Sequence, residues 1–428
     1  MAYRFPPAIS GPGQSKAVNF DVIVVGGGPA GATAAKVLGE AGISTLLLDK
    51  AGFPRDKPCG GGITARAMKR FPYLASAIDG IATQWISKVH FEAPGGAAVD
   101  YEASEPLCLM IRRCEFDHQL LELARGRVEC QTGALVRQVA FEASQVVVSA
   151  EVSGEPREYR CRMVLGCDGA NSVVARASGL RTGSVHAEYA IDMMEETPYT
   201  ELSVRDRDRV YIYYRLQGQY GYGYVFPKAH YVNLGVGFKL DYYLSRLRGK
   251  QYAYHQAFVE ELKLKGLVEG ESSESRFRAF PLPISGPLKR TYADRALVAG
   301  DAGGFVNAFT AEGIYYAMVS GEHAGRAAIA AVRAGRFDAS GLSGYELAWK
   351  NEIGLDLVKS VRIHRLLMGD VRWVDRIARA GTRNPALVEA LARYALGALT
   401  HPQFKRELMA HALPLYLREK AWALISGR

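Results

Sequence analysis

No stretch of about 20 consecutive apolar residues occurs in this sequence, so no membrane-spanning helix is expected. The first twenty residues carry no apolar run of signal-peptide type, and the expectation is an intracellular protein. Cysteine is scarce and unpatterned. Cys59, Cys108, Cys114, Cys130, Cys161 and Cys167 include no C-x-x-C pair, and no histidine falls near them in zinc-ligand order, so no metal site is expected. In an intracellular chain of this size each is expected to be a small buried apolar residue. Cys59 stands apart, because Pro58 and Gly60-Gly61-Gly62 bracket it. There is no internal repeat and no low-complexity tract. With 48% hydrophobic and 23% charged residues, the 428-residue chain is expected to fold into two or three units with a large core.

Charge of one sign is only mildly in excess: 53 Lys plus Arg stand against 44 Asp plus Glu, a formal +9. As a total this cannot choose between nucleic acid, an anionic membrane face and an acidic partner. Its distribution is more telling. Residues 331–428 hold 16 basic and 9 acidic residues, leaving 37 against 35 in the rest of the chain. Within 353–377, Ile353, Leu357, Val358, Val361, Leu367, Met368, Val371, Val374 and Ile377 follow helical spacing, interleaved with Lys359, Arg362, Arg365, Arg372 and Arg376. The end, from Phe404 through Trp422 and Leu424, is again amphipathic and basic. These helices are expected to cover a substrate entrance and touch an anionic membrane surface. No nucleic-acid recognition motif accompanies the charge.

What is present is a dinucleotide fingerprint. Residues 1–18 read as a loose arm, and Phe20–Val25 as a buried strand that runs into Gly26-Gly27-Gly28-Pro29-Ala30-Gly31. Gly26 allows the tight turn, Gly28 lets the backbone approach a pyrophosphate, and Gly31 lets helix and strand pack closely. A helix over 29–41 then turns its amino end to the phosphates. A second strand over 43–48 ends at Asp49, next to Lys50, where an acid meets the ribose hydroxyls. Far along the chain, Ala296–Ala299 forms another buried strand that leads into Gly300-Asp301, with Asp301 suited to a ribityl chain. Glu312, Gly313 and Ile314 open a helix running to about 334, whose N–H groups suit the pyrimidine edge of a flavin. If both units touch one cofactor, the domains are interleaved.

Between them lie Arg112-Arg113-Cys114-Glu115-Phe116-Asp117 and Cys167-Asp168-Gly169-Ala170-Asn171-Ser172. The order Gly-x-Gly-x-x-Gly, Arg-Arg-x-x-Phe-Asp, Asp-Gly-x-x-Ser, Gly-Asp resembles the FAD-dependent oxidoreductases of the para-hydroxybenzoate hydroxylase fold, over residues 20 to about 330. The resemblance implies FAD contacts from Arg113, with Arg112 as substitute, and from Asp168, Gly169, Gly300 and Asp301. It implies an α/β fold: an FAD-binding Rossmann-type domain (19–80, 102–180 and 276–335) interleaved with an antiparallel-sheet substrate domain (81–101 and 181–275). A carboxy-terminal helical region, 336–428, follows.

Two further segments resemble the geranylgeranyl reductase family. Phe53-Pro54-Arg55-Asp56-Lys57-Pro58-Cys59-Gly60-Gly61 is similar to its Pro-x-x-Cys-Gly-Gly segment, which implies that Lys57, Cys59, Gly60 and Gly61 lie beside the flavin. Tyr222-Gly223-Tyr224-Val225-Phe226-Pro227, seven residues and Gly235-Val236-Gly237 are similar to its Tyr-x-Trp-x-Phe-Pro…Gly-x-Gly pattern, with Tyr224 where that family commonly has Trp. Tyr222, Tyr224 and Phe226 share one strand face, and Tyr211 and Tyr213 from the preceding strand are expected to join them in the wall of a long apolar cavity, with Pro227 at its end. The archaeal members' late cysteine pair is absent.

The expected activity is saturation of C=C bonds of a polyprenyl chain on a lipid, pigment precursor or isoprenoid quinone. An isolated alkene accepts hydride only if a proton reaches the other carbon, so Cys59 and Tyr222 are the candidate catalytic residues. No second Gly-x-Gly-x-x-Gly occurs, so NADPH or a reduced carrier protein is expected to donate transiently. The protein is expected in the cytoplasm, peripheral at the inner membrane face. The alternative is a flavin monooxygenase or halogenase of the same fold.

Overall fold

Four consecutive fully buried residues make Phe20–Val25 a central strand, and the glycine turn after it starts the helix Pro29–Glu40, with proline in its first turn. The computed structural model describes residues 19–182, 189–214, 221–370 and 372–411. The expected arm at 1–18 and the final stretch through Trp422 and Leu424 lie outside these residues.

Phe20–Val25 sits in a parallel array. In spatial order the strands are Ala296–Val298, Glu155–Gly166, Phe20–Val25, Thr45–Asp49 and Glu129–Thr132. Strands more than 250 residues apart in sequence thus share one sheet. Ala134–Phe141 and Val146–Val152 extend it antiparallel from Glu155–Gly166. Pro29–Glu40, Arg113–Arg125 and Ile314–Ala334 cover one face and bury Leu38, Phe116, Leu121 and Met318 against it.

The second sheet has seven strands, in the order Arg278–Pro283, Tyr189–Pro198, Tyr231–Lys239, Gly221–Pro227, Arg209–Tyr214, Lys88–Glu92, Ala98–Glu102. All pairings are antiparallel except that of Arg209–Tyr214 with Lys88–Glu92. Arg278–Pro283 pairs with Tyr189–Pro198, so this sheet reaches past the boundary expected at residue 275. One face packs on the helix Gln251–Leu264 through Phe258, Val259 and Leu262. Helices Leu355–Gly369, Arg372–Gly381 and Pro385–Ala395 lie over the other.

Candidate active site

A long cleft opens at the carboxyl ends of the parallel strands, where a doubly wound sheet places its ligands. Gly26, Gly28, Pro29, Ala30, Asp49, Lys50, Lys57, Cys59, Arg113, Asp168, Gly169, Gly300, Asp301, Gly313 and Ile314 all line it. Gly26 has φ +102°, and a Cβ there would lie 2.2 Å from the Cys167 carbonyl oxygen, so no side chain fits the turn. Gly31 lies behind the cleft and packs the helix onto the Gly26 carbonyl. Asp49, at its strand tip, accepts the Gly27 N–H at 2.6 Å and the Ala51 N–H at 2.8 Å.

Several expected cofactor residues take less direct positions. The Asp168 carboxylate accepts the Ser172 hydroxyl at 2.5 Å and the Val173 N–H at 2.6 Å, and burial raises its pKa. Arg113 is buried and bidentate on Asp117, at 2.7 and 2.8 Å. Burial opposes the Asp117 charge, but Arg113 and Arg55, the latter at 2.9 Å, outweigh it and lower the pKa. Arg112 turns away to Glu196 at 2.6 Å and stacks over Tyr231, so it is no substitute for Arg113. Glu312 also turns away, 3.9 Å from Arg66, and leaves Gly313 and Ile314 on the cleft. Gly60 lies under the Phe226 ring and Gly61 against the Ile111 carbonyl. Lys57 holds Asp301 at 3.7 Å and sits 4.2 Å from the centre of the Phe280 ring. Cys59 accepts the Gly61 N–H at 3.4 Å.

A second, apolar cavity lies between the seven-stranded sheet and the carboxy-terminal helices. The sheet contributes Ile212, Tyr214, Tyr222, Tyr224 and Phe226. The helices contribute Leu367, Met368, Val374, Ile377, Val388 and Leu391. Leu282 and Ala311 line both spaces, so cavity and cleft meet there. Among the described residues no lining side chain is charged at neutral pH: burial holds the one histidine of that set, His364, down at about 4.

Tyr211 and Tyr213 are not in this wall, contrary to expectation. Tyr214 pairs with Tyr222 and Ile212 with Tyr224, which puts Tyr211 and Tyr213 on the opposite face. There they join the core around Phe258, with Tyr213 edge-on to it at 5.5 Å. Pro227 ends its strand without lining the cavity.

The Gly-x-Gly part of the motif explains the wall. A Cβ at Gly235 would lie 2.2 Å from the Tyr224 ring, and one at Gly237 2.5 Å from the Tyr222 ring. The bare glycines let both rings lie flat across the neighbouring strand. The Tyr224 hydroxyl thereby reaches past that strand to Asp192 on the next one, Tyr189–Pro198, at 3.2 and 3.4 Å. Asp192 is buried, and burial pushes its pKa up to about 7 against the opposing pull of Tyr224 and Lys57. Sequence reasoning missed Asp192; its one signal is an acid inside the apolar run Tyr189–Met194. It also missed Lys228, 1% exposed, which donates to the Cys59 carbonyl at 3.2 Å and pairs with Glu196.

The two-sheet fold and the glycine-lined cleft define an FAD-dependent oxidoreductase. Residues 19–350 match the family model described as FAD binding domain. The chain is 29% identical to a digeranylgeranylglycerophospholipid reductase of Methanothermobacter thermautotrophicus, over 82% of this chain and 89% of that one. It is 30% identical to a geranylgeranyl diphosphate reductase of Rhodobacter capsulatus, over 74% and 77%. Among solved structures, a geranylgeranyl bacteriochlorophyll reductase-like protein of Thermoplasma acidophilum superposes with a TM-score of 0.77, at 20% identity, over 92% and 99%. The chain belongs to the geranylgeranyl reductase family of FAD-dependent oxidoreductases. The cleft fits FAD: it is lined by a glycine turn that admits no side chain at Gly26, with the carboxylates of Asp49 and Asp301 in the same space.

Proposed function

We propose that the protein saturates C=C bonds of a geranylgeranyl-type polyprenyl chain carried on a lipid, pigment precursor or isoprenoid quinone. The observation that carries this reading is the apolar, uncharged cavity that joins the cofactor cleft at Leu282 and Ala311. A flexible hydrocarbon suits such a space, and its desolvation supplies the binding energy. Bound and reduced, FAD supplies hydride. The turn Gly26–Gly31 holds the pyrophosphate, Asp49 the ribose, Asp301 the ribityl chain, and the N–H groups of Gly313 and Ile314 the pyrimidine edge. Cys59, on the loop clamped by Lys228, and Tyr222 flank the reacting end. NADPH or a reduced carrier protein recharges the cofactor.

The substrate enters from a membrane. Leu355, Val358, Leu366 and Trp373 are 40% to 49% exposed, among exposed Arg362, Arg365, Arg376 and Arg379 on the helices that wall the cavity. That combination suits the inner, anionic membrane face. Among the described residues no helix is long and apolar enough to cross a membrane.

The test is anaerobic incubation of dithionite-reduced holoprotein with a geranylgeranyl-bearing lipid, read by mass spectrometry. The expected product gains two hydrogens per double bond. A hydroxylated or halogenated product formed only with oxygen would move the protein to the monooxygenase reading.

A further inference from the structure

Alkene reduction consumes a proton as well as a hydride, and the cavity wall is poor in acids. Among the described residues lining it there is no carboxylate, ammonium, guanidinium or thiol. Its hydrogen-bonding side chains are Tyr101, Tyr214, Tyr222, Tyr224, Thr310 and His364. Tyr224 differs from the others. Its ring lines the cavity and stacks at 4.4 Å on Phe226, which itself covers Gly60 beside Cys59, while its hydroxyl meets the buried carboxyl of Asp192.

We propose, resting on the reductase reading above, that Tyr224 and Asp192 form the proton relay of the reduction. Tyr224 is the catalytic acid that touches the alkene, and Asp192 is the buried positioning residue that recharges it. Hydride from the reduced flavin forms a C–H bond at one alkene carbon, and the Tyr224 hydroxyl proton forms one at the other. The Asp192 carboxyl proton moves to the Tyr224 oxygen, and Asp192 stays a carboxylate until water in the cofactor cleft reprotonates it. Two electrons pass from reduced FAD to the double bond, and one proton is drawn from solvent per bond saturated.

The surroundings of Asp192 support a reservoir role. Tyr222 and Tyr224 face it from the aromatic strand, across the intervening strand Tyr231–Lys239, and burial holds both as neutral phenols. Lys57 approaches from the cofactor loop, pulls on the Asp192 carboxyl and is engaged with Asp301 in the cleft. The backbone N–H of Met193 is the remaining partner. Its other sheet neighbours, Phe280 and Gly237, bring no titratable group. With burial raising Asp192 to about 7, its proton is present at neutral pH and exchangeable there. Tyr224 is also the position where the family resemblance leads to Trp. An indole N–H donates but cannot accept a replacement proton, whereas a phenol does both. The relay is therefore a property of this chain's own tyrosine.

The test compares wild type, Tyr224→Phe and Asp192→Asn as FAD-loaded proteins. Both substitutions are close in shape, and flavin absorbance checks that each folds. Tyr224→Phe should slow anaerobic prenyl reduction about 100-fold or more, the usual size of a general-acid contribution. Wild-type turnover should fall as pH rises through about 7, and Asp192→Asn should lack that limb. Independently of turnover, wild type should show an infrared C=O band of a protonated carboxyl that titrates near 7 and is missing from Asp192→Asn. Full activity in Tyr224→Phe, or no such band in wild type, overturns the relay. If wild type reduces no prenyl chain, the reductase reading falls and the relay falls with it. The infrared titration then still reports whether the pair holds a proton.

Discussion

Gly235 shows how a single missing side chain can shape a site. The Tyr224 ring occupies the space where its Cβ would stand, so Gly235→Ala must displace the ring and part it from Asp192. Overpacking of this kind costs about 1–3 kcal/mol, and a lowered melting temperature together with loss of the carboxyl infrared band is the expected outcome. Asp192 also leaves a mark on stability. Its pKa is higher folded, at about 7, than the usual carboxylate value, so between those values the folded state binds more protons than the unfolded one. Its contribution therefore weakens as pH rises from about 4 to about 7 and is lost above that window. Denaturant midpoints should show this slope reduced in Asp192→Asn. Cys59→Ala should lower prenyl reduction more than it lowers FAD content; equal losses would assign Cys59 a packing role. The fingerprint glycines and acids were readable residue by residue because each answers a local demand of a turn or a strand tip. Asp192 and Lys228 were not, because their roles depend on neighbours across strands distant in sequence.

At the scale of elements, the first strand, helix and second strand were legible from apolar runs and glycines, to within about two residues. The parity of the aromatic hairpin was not. A period-two pattern gives two faces but does not say which face of one strand continues that of the next, and a one-residue slip exchanges them. Residues 209–214 and 221–227 each offered alternate aromatics, and only their pairing put Tyr214 rather than Tyr213 beside Tyr222. Tyr213→Ala should therefore cost about 3 kcal/mol through the core around Phe258 and leave product formation per folded molecule unchanged. Tyr214→Ala should alter chain-length preference instead. The Cys59 loop depends on a contact from the other sheet. Burial opposes the charge of Glu196, but Lys228 and Arg112 outweigh it and lower its pKa. Lys228→Met breaks the buried pair at a cost of about 3 kcal/mol and should loosen FAD retention, measured as flavin released on dilution.

Across the whole molecule, the chain threads back and forth between two sheets, so that the cofactor cleft and the apolar cavity meet at their junction. The interleaving was implied by the distance between Gly26 and Asp301. The depth of the cavity was not, because its outer wall comes from carboxy-terminal helices whose amphipathic pattern says only that one face is covered. The same helices carry Arg362, Arg365, Arg376 and Arg379 on their exposed side. Replacing Arg365, Arg376 and Arg379 by Gln should weaken binding to anionic liposomes and flatten its salt dependence, with FAD content unchanged. The central claim, that cavity and cleft together deliver a polyprenyl double bond to reduced FAD, is tested most directly by single-turnover flavin absorbance. The holoprotein is reduced with stoichiometric dithionite, held without oxygen, and mixed with a geranylgeranyl-bearing lipid. The account predicts that the yellow oxidised flavin returns in step with saturation of the chain. A flavin that stays colourless until oxygen is admitted would contradict it.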